Sequence, residues 1–119
     1  MEEGKEARRL LVVSNHNPET WTIEQRAGWD KIDYIPFPKV KPELSFDEVV
    51  ELAFKLYTKI KKWRKKNKDG KVCLQGEDTI CYLIFRNIFE PIFVFPTTKK
   101  VVEKKDGKRI YSFRFVRWR

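Results

Sequence analysis

The sequence predicts an α/β fold with a mainly parallel sheet that ends in a β-hairpin. Short apolar runs alternate with segments of helical periodicity, as in parallel strands joined by crossover helices. The apolar runs are continuous, which is typical of strands buried on both faces. The C-terminal part changes to an alternating pattern around an Asp-Gly turn. Right-handed crossovers place helices on both faces of such a sheet, so we expect a compact Rossmann-like domain.

Two strands and a short helix are predicted in the N-terminal third. The first strand is predicted at residues 8–13, where residues 10–13 are continuously apolar. Thr22 precedes Gln25 by three residues, which is the spacing of an N-cap and its partner, so residues 22–29 are predicted to be helical. Residues 31–37 form the second strand, which two prolines close.

The longest predicted element is a helix that runs to about residue 66. Ser45 and Glu48 have the spacing of a capping box at its start. Gly70 follows its end, where a turn needs a residue that tolerates a positive φ. Apolar side chains at helical spacing are expected to face the sheet: Phe46, Val49, Val50, Ala53, Phe54, Tyr57 and Ile60.

The second half of the chain predicts two strands, a helix between them and the hairpin. Strands are predicted at residues 71–74, which are apolar after Lys71, and at residues 91–95, which are apolar throughout. Residues 79–88 between them have helical spacing. Asp-Gly at 106–107 predicts a type I′ turn. Beyond it Tyr111, Phe113 and Phe115 share one face of the strand, with Ser112 and Arg114 on the other.

The helix at 79–88 carries apolar residues on two sides. One stripe consists of Ile80, Leu83, Ile84 and Ile88, and the other of Cys81, Phe85 and Phe89. A helix that is apolar on two faces is buried twice. In a domain of this size the second face often meets another subunit, and a symmetric dimer is the simplest closed assembly.

Size, charge and cysteine content limit the classes of protein. A chain of 119 residues forms one domain, which we place at residues 1–119. The net charge of +9 favours an anionic partner, although a solvated basic surface explains it equally. Cys73 and Cys81 lie in apolar sequence, as buried thiols of a reducing compartment do. Residues 1–5 lack the pattern of a signal peptide and no apolar run is long enough for a membrane helix, so we expect a cytoplasmic protein with no membrane partner.

Polar residues follow two of the predicted strands, where open α/β sheets bind ligands. Ser14, Asn15 and His16 come directly after the first strand, and His16 is the chain's only histidine. An imidazole can act as a general acid or base near neutral pH, although a loop histidine bonded to water is the simpler interpretation. After the third strand the candidates are Gln75, Gly76, Glu77 and Thr79.

Each candidate of the second group also has a structural interpretation. Gln75 and Thr79 offer an amide and a hydroxyl that can reach a base, ribose or phosphate. In the structural interpretation, Gly76 allows a tight turn between strand and helix. Glu77 would repel a phosphate, and as a helix N-terminal charge it complements the dipole.

Several function classes are disfavoured by missing motifs. The chain lacks the G-x-G-x-x-G fingerprint of nicotinamide cofactor binding and the Walker P-loop. Ser14 lacks the glycines of a nucleophile elbow. With one histidine, two cysteines and scattered acids, we expect neither a metal site nor a cofactor.

Two segments together resemble a known group of proteins. Residues 12–16, VVSNH, followed by TIEQ at 22–25, are similar to the start of the small standalone CRISPR-associated proteins of the Rossmann-like CARF class. LQGEDT at 74–79 is similar to the Q-G-E-x-T segment of that group. The resemblance covers most of the chain through short motifs.

The resemblance implies a role in type III CRISPR defence. Relatives bind cyclic oligoadenylate messengers at the two-fold axis of a homodimer, and several cleave them as ring nucleases. By position, Ser14, Asn15 and His16 would line one wall of the site and Gln75, Gly76, Glu77 and Thr79 the other. We infer metal-independent cleavage in which the 2′-OH attacks the adjacent phosphorus and His16 is the acid or base.

Three other functions remain open. A sensor or sponge would use the same pocket without turnover. A protein that binds or cleaves linear RNA would use the basic segment at 59–66. A structural module would carry its charge only for solubility.

Overall fold

The fold is described from a computed structural model, in which residues 7–119 are described. Residues 1–6 lie outside that range, and with them the segment predicted not to be a signal peptide and the start of the predicted domain. The elements in chain order are β1 (Arg9–Ser14), a 3₁₀ helix (Pro18–Thr20), α1 (Ile23–Arg26), β2 (Lys31–Pro36), α2 (Phe46–Lys66), β3 (Lys71–Leu74), α3 (Asp78–Asn87), β4 (Pro96–Lys105) and β5 (Lys108–Trp118).

The chain forms an α/β structure around a three-stranded parallel sheet. The strand order is β2-β1-β3, and β1 pairs in parallel with both neighbours. Leu11 lies between Asp33 of β2 and Val72 of β3 in this register. The chain therefore leaves β1 in one direction to reach β2, and then crosses back over β1 to reach β3.

The faces of β1 belong to two separate apolar clusters, as a strand buried on both sides requires. Leu11 and Val13 pack into the larger cluster, and Leu10 and Val12 into the smaller one. All four side chains are fully buried. Burial on both faces thus explains why the strand predicted at 8–13 contains a continuous apolar run.

Helices α2 and α3 cover the face of the larger cluster. The capping box that begins α2 is confirmed, since Ser45 Oγ accepts from the Glu48 amide at 3.2 Å and Glu48 Oε1 accepts from the Ser45 amide at 3.1 Å. The buried side chains of α2 are Val49, Ala53, Leu56 and Ile60. From α3, Ile80, Cys81 and Ile84 are buried in the same cluster.

The prediction of which α2 residues face the sheet is wrong for three positions. Phe46 and Phe54 are 65% and 66% exposed, and Val50 is also exposed. The apolar stripe of α2 is wider than the surface that the sheet and α3 can cover. Residues spaced four apart along its edge therefore remain uncovered.

The opposite face of the sheet is covered by tryptophans. α1 contributes no buried residue, and Gly28, with a φ of +88°, lies just beyond its end. Trp21 and Trp29 flank this short helix and pack on the smaller cluster together with Trp118 from the end of β5. The predicted helix at 22–29 is therefore only four residues long.

The predicted fourth strand at 91–95 is reduced to one bridge. Phe93 pairs in parallel with Val72, through bonds from Val72 N to Ile92 O at 2.8 Å and from Val94 N to Val72 O at 2.9 Å. Pro91 has no amide hydrogen to donate at the start of this segment. The segment ends where the chain turns into the hairpin at Pro96.

The C-terminal hairpin forms a second sheet. Asp106 and Gly107 have φ values of 53° and 75°, which matches the predicted type I′ turn. Its strands are long: β4 begins at Pro96, and β5 extends to Trp118. The radius of gyration is 17.1 Å, against about 13.5 Å for a compact domain of this length. The projecting hairpin makes the molecule less compact than the sequence predicted.

The base of the hairpin is fixed by Trp118. Its indole nitrogen donates to Gln25 O at 3.1 Å, and its ring lies 5.4 Å from that of Trp21 and 5.8 Å from that of Trp29. Arg119 and Phe95 also exchange two backbone hydrogen bonds. Within residues 7–119, no helix is long and apolar enough to cross a membrane.

Candidate functional site

The two predicted groups of polar residues lie at neighbouring strand ends. Val13 of β1 and Leu74 of β3 are paired, and the Gln75 amide donates to Val13 O at 3.0 Å. The residues that follow β1 and β3 therefore leave the sheet side by side. The strand order reverses at β1, so this edge is a topological switch point, where open α/β sheets bind ligands.

Ser14 shapes the loop after β1. Its side chain is buried, and its Oγ accepts a hydrogen bond from the His16 amide at 3.0 Å. Its carbonyl oxygen accepts from the Phe37 amide at 3.1 Å and from the Tyr34 hydroxyl at 2.9 Å. Ser14 is thus occupied in holding the β1 and β2 ends together. Its role at this edge is to position Asn15 and His16.

Asn15, His16 and Gln75 are exposed at the same edge. Their side chains extend from the ends of two adjacent strands. Two amides and one imidazole supply both donors and acceptors, which can bind base edges, ribose hydroxyls or phosphate oxygens. These three residues form the accessible polar part of the site.

Gly76 is required by packing. A Cβ at this position would lie 2.4 Å from two ring carbons of Phe37, a buried residue that follows β2. The backbone φ of Gly76 does not lie in the left-handed region. The glycine therefore allows a close approach of strand end and ring, rather than an unusual turn conformation.

Glu77 caps α3. Its Oε1 accepts from the Thr79 amide at 3.0 Å and its Oε2 accepts from the Ile80 amide at 2.9 Å. Partial burial acts to raise the pKa of this carboxyl, but the hydrogen bonds from Ile80 and Thr79 outweigh it and hold the pKa below its ordinary value. Two N-terminal amides of α3, which could otherwise bind an anion, are thus already bonded within the chain.

A groove of about 390 Å³ opens beside this cap. Of the predicted residues, Glu77 and Thr79 line it. Its other walls come from the segment after β2 and the start of α2, and they are Val40, Lys41, Pro42, Leu44, Phe46 and Val49. Five of these eight lining residues are apolar, and the other three supply a lysine, a carboxylate and a hydroxyl. Its volume lies within the range of small-molecule sites.

Lys41 is the groove residue that the sequence analysis missed. It belongs to the segment between β2 and α2, in which no site residue was predicted. Since β2 is parallel to β1 and β3, its carboxyl end lies at the same edge as theirs. The position of this linker after a parallel strand was the available signal.

The remaining chemistry-bearing groups of the described residues are possible metal ligands and the two cysteine thiols. Across residues 7–119, no group of three or more His, Cys, Asp or Glu side chains could hold a metal ion. Burial raises the pKa of the Cys73 thiol to about 12. Burial also raises the pKa of Cys81, against a hydrogen bond from the Gly76 backbone that lowers it, and the charges of Asp78 and Glu77 raise it further.

Comparisons with known proteins give a family. Neither the search of curated proteins nor the search of solved structures found a match. One family model covers residues 8–119, which is nearly the whole chain. On that match, the chain belongs to the uncharacterized protein MJ1673 family.

Proposed function

We propose that the protein binds a cyclic oligoadenylate at the carboxyl edge of its parallel sheet and cleaves it as a ring nuclease. The observation that carries the proposal is the juxtaposition of Asn15, His16 and Gln75 at the β1/β3 switch point. The similarity of residues 12–16 and 74–79 to CARF-class proteins motivates the choice of ligand. The MJ1673 family itself contributes no activity to this argument.

The strand order supports a Rossmann-like classification of the domain. The order β2-β1-β3, followed by the Phe93 bridge beyond β3, matches the order expected for part of a doubly wound sheet. Nucleotides bind to such sheets at the point where the order reverses. Residues 14–16 and 75–79 flank that point here, which fits a nucleotide ligand better than the alternatives of a structural module or a site on α2.

The groove beside the cap fits part of the ligand. Its apolar walls suit an adenine ring, and the Lys41 ammonium can pair with a phosphate at its rim. Thr79 lines the same groove. Glu77 is committed to the α3 amides, so its role in the proposal is to hold α3 and Thr79 in place.

A homodimer would complete the site. The uncovered stripe of Phe46, Val50 and Phe54 on α2 continues into an apolar groove of about 240 Å³ between α2 and α3. The stripe begins at Phe46, which also lines the groove at the sheet edge. Pairing through this face would bring two copies of the site close to one axis, as a cyclic ligand with repeated nucleotides requires.

This dimer differs in detail from the one expected from two stripes on α3. Phe85 of the second stripe packs against Phe93 and Phe95 of the same chain, at centroid distances of 4.7 and 5.7 Å. Cys81 and Phe85 of that stripe are therefore covered within the subunit, and Phe89 alone of its three residues is exposed. The α2 stripe and the neighbouring side of α3 form the proposed interface.

The cleavage step requires only the ligand's own nucleophile. The 2′ oxygen of one ribose forms a bond to the adjacent phosphorus, the bond from phosphorus to the 5′ oxygen breaks, and a 2′,3′-cyclic phosphate and a 5′-hydroxyl result. His16 accepts the 2′ proton, or donates a proton to the leaving oxygen. A dimer supplies two copies of this histidine, so one can act as the base and the other as the acid at a single phosphate.

The proposal is tested by incubating the purified protein with labelled cyclic tetra- and hexa-adenylate, with and without EDTA. We expect binding, and products that form equally in EDTA. His16→Ala should lower turnover by roughly 10²–10⁴-fold while affinity changes little. Gln75→Ala and Thr79→Ala should weaken affinity and leave saturated turnover closer to normal.

The possible outcomes separate the functions. Tight binding without products would support a sensor or sponge and remove the catalytic role of His16. Activity lost in EDTA and restored by manganese would refute the metal-independent step. Failure to bind either ring would refute the proposed ligand.

A further inference from the structure

The hairpin has a basic, aromatic face that the proposed ring site does not use. Residues 96–119 contain nine basic and two acidic side chains, a net charge of +7 out of the chain's +9. The hairpin is attached at its base by Trp118 and extends away from the sheet. Most of the net charge is therefore carried by a projecting two-stranded ribbon.

The cross-strand register places lysines and aromatic rings on one face. Tyr111 faces Val102, Phe113 faces Lys100, and Phe115 faces Thr98. The ammonium of Lys100 lies 4.4 Å from the centre of the Tyr111 ring, which confirms that both belong to this face. Tyr111 is 51% exposed and Phe113 is 70% exposed.

Solubility alone does not explain this face. Lysines on a free strand edge prevent pairing with other chains, so the charge could serve that purpose. Exposed aromatic rings on the same face have the opposite effect, because they favour association. A partner suited to this face must form ion pairs with its basic side chains and stack on its aromatic rings.

We infer that this face binds single-stranded nucleic acid. Phosphates pair with Lys100, Lys104 and Arg109, which the register places on this face, and bases stack on Tyr111 and Phe113. Alternate residues on one face of a strand are about 6.8 Å apart, twice the 3.4 Å spacing of stacked bases in a duplex. Successive rings therefore suit bases that have been unstacked, which favours a single strand over a duplex.

The basic end of α2 is a weaker candidate for the same partner. Lys65 and Lys66 lie in the last turn of a 21-residue helix, where positive charges complement the helix dipole. Arg64 in that turn pairs with Glu90 at 3.0 Å. The helix end thus has an intramolecular reason for its charge, and it lacks exposed rings.

Fluorescence anisotropy with an end-labelled, mixed-sequence single-stranded RNA tests the inference, and a DNA strand of the same sequence and the matching duplex are compared with it. Phe113→Val keeps a residue with high strand propensity and removes the ring. We expect it to lower affinity by about 5- to 150-fold, the effect of losing one stacked base. Phe113→Trp should retain affinity. Phe89→Val, which removes an even more exposed ring outside the hairpin, is the matched control and should have no effect.

Salt dependence distinguishes the charges from the rings. Lys100→Gln should reduce the slope of log K against log salt by about 0.7 for a single strand. Lys65→Gln on α2 should leave the slope unchanged, and Phe113→Val should lower affinity at constant slope. These slopes keep the test informative even if one variant perturbs the hairpin.

Three results would overturn the inference. One is binding that survives Phe113→Val and Lys100→Gln but is lost in Lys65→Gln. Another is a preference for the duplex over both single strands. The third is binding to phosphatidylserine vesicles without binding to RNA or DNA, which would assign the face to a membrane surface. None of these results bears on the ring site, which is assayed with cyclic ligands.

Discussion

Gly76→Ala should destabilise the protein although the residue lies in a loop. The new Cβ would be placed 2.4 Å from two carbons of the Phe37 ring, whereas nonbonded carbons prefer about 3.5–4.0 Å. The ring is only 6% exposed and belongs to the larger apolar cluster, so it cannot rotate into solvent. Ring and strand end must separate by about 1 Å, and overpacking of this kind costs about 1–3 kcal/mol.

Thermal unfolding at fixed protein concentration measures this cost. At about 2.1 cal/mol/K per residue, 119 residues convert 1–3 kcal/mol into a fall in Tm of roughly 4–12 °C. Phe37→Leu supplies the control, because a smaller side chain makes room for the Cβ. We expect the double variant to be more stable than the sum of the single effects by about 0.5–3 kcal/mol. A Gly76→Ala protein as stable as the wild type, or strictly additive effects, would refute the packing argument.

Three further expectations concern the cap, the thiols and the interface. Glu77→Ala should lower the free energy of unfolding by about 0.5–2 kcal/mol at neutral pH, measured by urea denaturation. Because the folded state lowers the pKa of Glu77, the stability that this carboxylate contributes is present above the ordinary carboxyl pKa and is lost as the pH falls through the lowered value. The free energies of unfolding of the wild type and Glu77→Ala should therefore converge in acid. With a pKa of about 12, Cys73 has a thiolate fraction of roughly 10⁻⁴ at about pH 8, and mass spectrometry should find it alkylated only in denaturant. Light scattering should give twice the 14.4 kDa chain mass, and Phe54→Lys, but not Lys59→Ala on the same helix, should give the monomer mass.

Candidate site residues were predicted from strand ends and motifs, and the structure divides them by role. Asn15, His16 and Gln75 remain accessible for a ligand. Ser14 and Glu77 are bonded within the chain, to the His16 amide and to the amides of α3. A residue at a strand end has the same position in the sequence whether it binds a ligand or stabilises the loop. Only its hydrogen-bond partners, which depend on the local conformation, distinguish these two roles.

Features that depend on neighbouring residues were determined by the sequence. The Ser45 capping box is closed by groups three residues apart, and the Asp106-Gly107 turn depends on two residues that tolerate positive φ. The apolar run of β1 predicts burial on both faces, because each face receives alternate side chains. These interactions are local, so the sequence contains them without reference to the rest of the chain.

Features that depend on contacts between distant segments were decided by the tertiary structure. Phe54 and Leu56 are both apolar residues of α2, and only the position of the sheet and α3 leaves the first exposed and buries the second. Gly76 is required because Phe37, distant in sequence, packs against it. Trp118 fixes the hairpin through Gln25, which lies near the other end of the chain. Apolar patterning specifies that a residue can be buried, but the free energy is gained only where another surface arrives to exclude water.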